Sequence, residues 1–154
     1  MFAIGKAYHF EKSIVINAPA EKIYQNMNSM KAFNRWNPWM ELDPNMKVEY
    51  SGNSGQIGDQ YCWDGNGDAG KGCHTITALV PNQQQSTKML FMKPFESDAT
   101  SNIILTPNGN STKVTWDMDC ELDYPMNLMS IFMDGQMDKS YGSGLAKLKE
   151  ISEK

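Results

Sequence analysis

A change of hydrophobic period constrains this chain more than any other feature. Between Met46 and Cys120 apolar residues recur at every second position, and after Tyr124-Pro125 they recur every third or fourth. The clearest run is Thr112 to Cys120, where Val114, Trp116, Met118 and Cys120 alternate with Lys113, Thr115, Asp117 and Asp119. Such alternation puts one face on a core and the other in water, the mark of antiparallel strands. Met46, Val48 and Tyr50 repeat the pattern, as do Tyr61 with Trp63, His74 with Ile76 and Ala78, and Met89 with Phe91. Turn-forming residues at 65–70, Pro81-Asn82 and Pro107-Asn108-Gly109-Asn110 separate the runs. Beyond Pro125, Met126, Met129, Met133, Met137, Tyr141, Leu148 and Ile151 fall near one stripe of a long helix. Gly135, Gly142 and Gly144 each weaken that helix by about 1 kcal/mol relative to Ala, so a bend or a close approach to the sheet is expected there. Six to seven antiparallel strands plus one long terminal helix predict an α+β domain with the sheet packed on the helix.

Ahead of the alternating region, Phe10 to Asn17 reads as a strand, which leaves His9 in front of it. Pro19 suits the first position of a short helix from Ala20 to about Asn26. Lys31 to Trp36 forms a second helical turn, and Pro38 and Pro44 prevent continuation.

A length of 154 residues suits one domain. The formal charge of −4 and the lack of Lys/Arg clusters argue against a nucleic-acid surface. Phe2-Ala3-Ile4-Gly5 is too short for a signal peptide or a membrane span. Cys62, Cys73 and Cys120 show neither CxxC nor metal-ligand spacing, so reduced thiols in a cytoplasmic protein are expected. A Cys62–Cys73 pairing on adjacent strands stays open.

Several motifs fail on context. Gly65-Asn66-Gly67-Asp68-Ala69-Gly70 matches GxGxxG, and Lys71 extends it toward a phosphate loop. A strand follows it rather than a helix, and Gly72 stands where a magnesium-binding hydroxyl belongs. No nucleotide is expected. Asp64, Asn66 and Asp68 imitate half a calcium loop, but Ala69 and Thr75 occupy positions that need Gly and Glu. Cys73 and His74 are strand neighbours facing opposite sides, so no metal site is expected and no cofactor is implied. No GxSxG elbow or paired inward carboxylate appears, and Asp117, Asp119 and Glu121 read as solvated. His74 is the one histidine on an inward strand position. It reads either as a hydrogen-bonded core residue or as a proton-handling group. Twelve methionines read as core filling or as an adaptable apolar wall.

The order of these elements, with Trp36-Asn37-Pro38-Trp39, Asp43-Pro44-Asn45-Met46, Gly70-Lys71-Gly72, Met92-Lys93-Pro94-Phe95, Gly109 to Trp116 and Gly144 to Lys149, resembles the START-like or Bet v 1-like superfamily. The likeness is specifically to its bacterial polyketide cyclase/dehydrase-like (SRPBCC) branch. The resemblance spans about Phe10 to Glu150 and implies a helix-grip fold, a curved sheet wrapped on the C-terminal helix around an apolar cavity. Residues 10–154 then form the single domain. Residues 1–9 are an extension, or the end of an N-terminal anchor such as some members carry. A membrane tether of the full-length protein is the alternative to a cytoplasmic location. The strand reading Gly70-Lys71-Gly72-Cys73-His74-Thr75-Ile76 departs from the family's usual apolar residue at position 74.

The expected cavity lining is Trp36, Trp39, Tyr61, Trp63, His74, Ile76, Met89, Phe91, Trp116, Met118, Met129, Met133, Met137 and Tyr141. Arg35 and His74 are the groups expected to orient a polar end. Three functions fit the resemblance. The first is binding of a hydrophobic lipid or polyketide-like molecule. The second is cyclase or dehydratase chemistry, with His74, Tyr61 or Arg35 as the catalytic candidates. The third is a protein-interaction module of the chaperone-activator type. Oligomeric state is left open, because an apolar stripe facing the sheet looks the same as one facing a partner.

Overall fold

The computed structural model describes residues 6–41, 43, 45–66, 70–93, 96–122 and 130–154; the side chains at 6, 122, 130–134 and 136 also lie outside that description. From the N-terminus, β1 (Lys6–Ile16) leads into two short helices, α1 (Ala20–Tyr24) and α2 (Met30–Phe33), and a 3₁₀ turn over Pro38–Glu41. The strands β2 (Lys47–Ser51), β3 (Gln60–Asp64), β4 (Lys71–Val80), β5 (Gln84–Lys93), β6 (Ser97–Asn108) and β7 (Ser111–Leu122) follow, and α3 (Ser130–Ser152) closes the chain. The seven strands form one sheet in the order β1-β7-β6-β5-β4-β3-β2, with every neighbouring pair antiparallel. Two register shifts between β4 and β5 bend this part of the sheet. The expected helix-grip architecture is what forms.

The first strand begins earlier than the alternation suggests. Its ladder with β7 runs from Lys6↔Leu122 to Ile16↔Thr112, so His9 lies within β1 opposite Asp119. The segment Lys6-Ala7-Tyr8-His9 is a strand because β7 offers it partners, and its own pattern gives little sign of it. Asp117 also departs from expectation. It points to the outer face but is buried, and its carboxylate accepts from the backbone and side-chain amides of Asn102 at 2.9 and 3.1 Å. Burial raises its pKa.

The expectation of reduced thiols is corrected in the same way. Cys62 and Cys73 sit directly opposite each other in the β3–β4 ladder and are joined in a disulfide, while Cys120 is free. An 11-residue separation across a hairpin brings the two sulfurs together by register alone, which composition could not reveal.

The inward side chains of β6 divide the interior. Ile103 and Leu105 are buried at the end where α1 packs on the strand. Ile16, Ile23, Met27, Val114, Leu145 and Leu148 fill the same cluster, each large aliphatic group contributing about 1.5–3 kcal/mol. At the other end the inward residues are Ala99 and Ser101, which leave the space between sheet and helix unfilled.

α3 reaches the sheet through glycine. A Cβ on Gly144 would lie 3.0 Å from Pro38 Cδ and 3.0 Å from Trp116 Cζ3, and one on Gly142 would lie 3.2 Å from Lys12 Cε. The close-approach reading therefore holds for these two. Gly135 is exposed and has no described heavy atom within 4 Å of such a Cβ.

Candidate functional site

Small residues on β6 and the inward faces of its neighbours enclose a cavity of about 410 Å³. The volume suits a small organic ligand. Its walls are mostly aromatic. Trp39, Trp116 and Tyr141 form the side toward α3, while Phe33, Tyr61, Trp63 and Phe91 form the side toward β3–β5. The rings pack mainly edge to face, with Phe33 5.8 Å from Trp116 and Trp63 5.8 Å from Phe91 between centroids. Such contacts are each worth about 0.5–1.5 kcal/mol beyond the area they bury. Gly72 permits part of it: a Cβ there would lie 2.7 Å from the Trp63 ring and 2.4 Å from the Leu90 carbonyl oxygen. Met40, Met46, Met89, Met118 and Met137 fill between the rings, as adaptable thioether surfaces do.

One hydrogen-bond chain crosses this apolar wall. Asn37 Nδ2 donates to the Tyr61 hydroxyl at 3.0 Å, and the hydroxyl lies 3.4 Å from His74 Nδ1. His74 Nε2 lies 2.7 Å from Thr87 Oγ1, and Thr87 donates onward to the Ser101 carbonyl at 3.5 Å. With Thr87 donating onward, His74 carries its proton on Nε2 and accepts from Tyr61 at Nδ1. His74 is neutral. Full burial without a carboxylate partner holds its pKa down to about 3, and burial raises that of Tyr61. A second polar cluster centres on Ser101, whose hydroxyl donates to the Asp117 carbonyl at 2.6 Å and accepts from Trp116 Nε1 at 3.2 Å. The Tyr141 hydroxyl also bonds to Ser101.

Of the residues expected to line the cavity, Trp39, Tyr61, Trp63, His74, Met89, Phe91, Trp116, Met118, Met137 and Tyr141 border it. Trp36 and Ile76 do not border it and are buried in the packed core. The Trp36 indole donates to the Asn26 carbonyl at 2.8 Å, and Ile76 lies further along β4, at its filled end. Arg35 is also placed elsewhere. It is exposed and its guanidinium donates to Asn26 Oδ1 at 2.9 Å, since successive residues of a helical turn project in different directions. Met129 and the side chain of Met133 lie outside the described residues.

Pattern reading missed Phe33, Asn37, Ala99 and Ser101. The last two are detectable only as small inward residues on a strand, which hydrophobic alternation discounts. The rim also carries Lys93, Asp98, Cys120 and Glu121. No group of three or more His, Cys, Asp or Glu among the described residues is placed to hold a metal ion. Among them, too, no helix is long and apolar enough to cross a membrane.

Known proteins share this architecture at low sequence identity. Ara h 8.0201 superposes with a TM-score of 0.68 at 14% identity, covering 96% of this chain and 98% of that one. The protein Mll3558 from Rhizobium loti gives 0.68 at 16%, covering 94% and 98%. The di-domain aromatase/cyclase StfQ of the steffimycin biosynthetic pathway gives 0.70 at 12%, covering 96% of this chain and 51% of its own. No curated protein matches the chain in sequence. The profile of the family described as polyketide cyclase / dehydrase and lipid transport matches residues 7–153. On that match and this fold, the chain belongs to the polyketide cyclase / dehydrase and lipid transport family.

Proposed function

We propose that the protein binds a hydrophobic small molecule, lipid or polyketide-like, in the cavity between the sheet and α3. The observation that carries this reading is the 410 Å³ cavity with a wall of aromatic and Met side chains, left open by Ala99 and Ser101 where the rest of β6 is filled. Burying an apolar ligand there removes its surface from water at about 25 cal/mol per Å².

A catalytic reading gains less support. His74 has both ring nitrogens engaged within the protein, and burial leaves it a weak proton acceptor. Arg35, the one charged candidate, is turned away from the cavity.

Native mass spectrometry of the purified protein, followed by organic extraction, tests the binding reading. A reproducible apolar molecule at near-stoichiometric amount is expected, and the variant Ala99→Leu, which fills the cavity, should lose it while keeping its fold. A ligand retained equally by Ala99→Leu would overturn the assignment to this cavity. A clean mass, together with no calorimetric binding of any apolar aromatic probe, would overturn the function.

A further inference from the structure

Resting on that reading, we infer that the cavity selects by charge: it accepts ligands with an uncharged head and rejects carboxylate and phosphate heads of the same shape. Among the described residues, the interior offers no counter-ion for an anion. Every nitrogen and hydroxyl of the Asn37–Tyr61–His74–Thr87 chain is engaged within the protein, and His74 stays neutral.

The basic residues near the site are accounted for. Lys12 points to the inner face of β1, but its ammonium pairs with Asp138 at 2.6 Å beneath α3. Among the described residues, Lys93 is the cation bordering the cavity, and it shares the rim with Asp98 and Glu121. Among the side chains outside the description, the one basic residue is Lys6. It stands at the outer end of β1 opposite Leu122, one rung beyond Glu121. The remaining ones add only acids to this balance, at Asp68, Asp123 and Asp134.

A carboxylate entering the aromatic interior would therefore lose its hydration without gaining a paired charge, which is strongly unfavourable. A neutral carbonyl or amide loses far less on leaving water. The selected class is an apolar, ring-bearing ligand whose polar groups are hydroxyl, carbonyl or amide. Free fatty acids and phosphorylated lipids fall outside it.

Isothermal titration calorimetry with naphthamide and naphthoate tests the inference, because the two have nearly the same shape and differ in charge at neutral pH. Naphthamide is expected to bind at least about tenfold tighter. Equal or tighter binding of naphthoate would overturn the charge selection while leaving the cavity as a binding site. Loss of that naphthoate binding in Lys93→Gln would then identify the rim lysine as the anion's partner. Failure of both probes to bind would overturn this inference together with the binding function.

Discussion

Tyr141 of α3 stacks face to face on Trp116 of β7, with ring centroids 3.8 Å apart and planes inclined by 15°. Both rings are nearly fully buried, and both reach Ser101 with their polar atoms. The contact is at once the joint between helix and sheet and one wall of the cavity.

Trp116→Ala should therefore remove stability and binding together. Loss of a buried Trp costs about 3–5 kcal/mol, measurable by urea denaturation. Tyr141→Phe keeps the stack and deletes one hydrogen bond, so a loss of about 1 kcal/mol is expected. If Trp116→Ala unfolds no more easily than Tyr141→Phe, the stack is not the joint described.

The helix glycines make opposite predictions. Gly135→Ala should stabilise by up to about 1 kcal/mol, the ordinary helix-propensity gain. Gly144→Ala should destabilise despite that gain, because its methyl group meets Pro38 and Trp116 at 3.0 Å. Thermal melts of the two variants, shifting in opposite directions, check both.

The two histidines should shape opposite limbs of the stability–pH curve. Hydrogen bonds to Glu11 and Asp119 raise the His9 pKa from 6.5 to about 9, so its stabilisation is full below 6.5 and is lost as pH rises through about 9. The pair is exposed and the effect is small. His74 behaves in reverse. Its pKa falls from 6.5 to about 3, so the unfolded chain takes the proton first, and stability is lost as pH drops from 6.5 toward 3. The limiting slope is about 1.4 kcal/mol per pH unit. Denaturation across this range should show His9→Gln flattening the alkaline limb and His74→Gln flattening the acid limb.

Reduction of Cys62–Cys73 should lower stability by about 2–3 kcal/mol, the effect of opening a short loop. Thiol titration of the denatured protein should find one reactive group before reduction and three after it. Three groups before reduction would show that the disulfide is absent from the purified protein.

Much of the fold was readable because β7 obeys a strict alternation, with Val114, Trp116 and Met118 inward and Lys113 and Thr115 outward. The helix stripe was readable for the same reason at Met137, Tyr141 and Leu148. β6 was not, since Ala99 and Ser101 give no hydrophobic signal although they face the interior. The site divided along similar lines. Bulky rings such as Trp63 and Phe91 announced the wall, but Trp36 and Trp39 look alike in sequence, and tertiary packing alone sends one into the core and the other to the cavity. Arg35 carries the charge that could orient a polar end, but its place on the helical turn directs the side chain outward to Asn26, which its residue type does not reveal.

The division of β6 into a filled end and a hollow end also bears on how such a protein can change over generations. Substitutions at Ile103 or Leu105 strike the folding core and are readily purged. Substitutions at Ala99, whose side chain makes no hydrogen bond, reshape the chamber while the framework stands; Ser101 is held by its bonds to Trp116, Tyr141 and the Asp117 carbonyl. A lineage carrying this strand can explore new ligands at Ala99 without first risking its ability to fold.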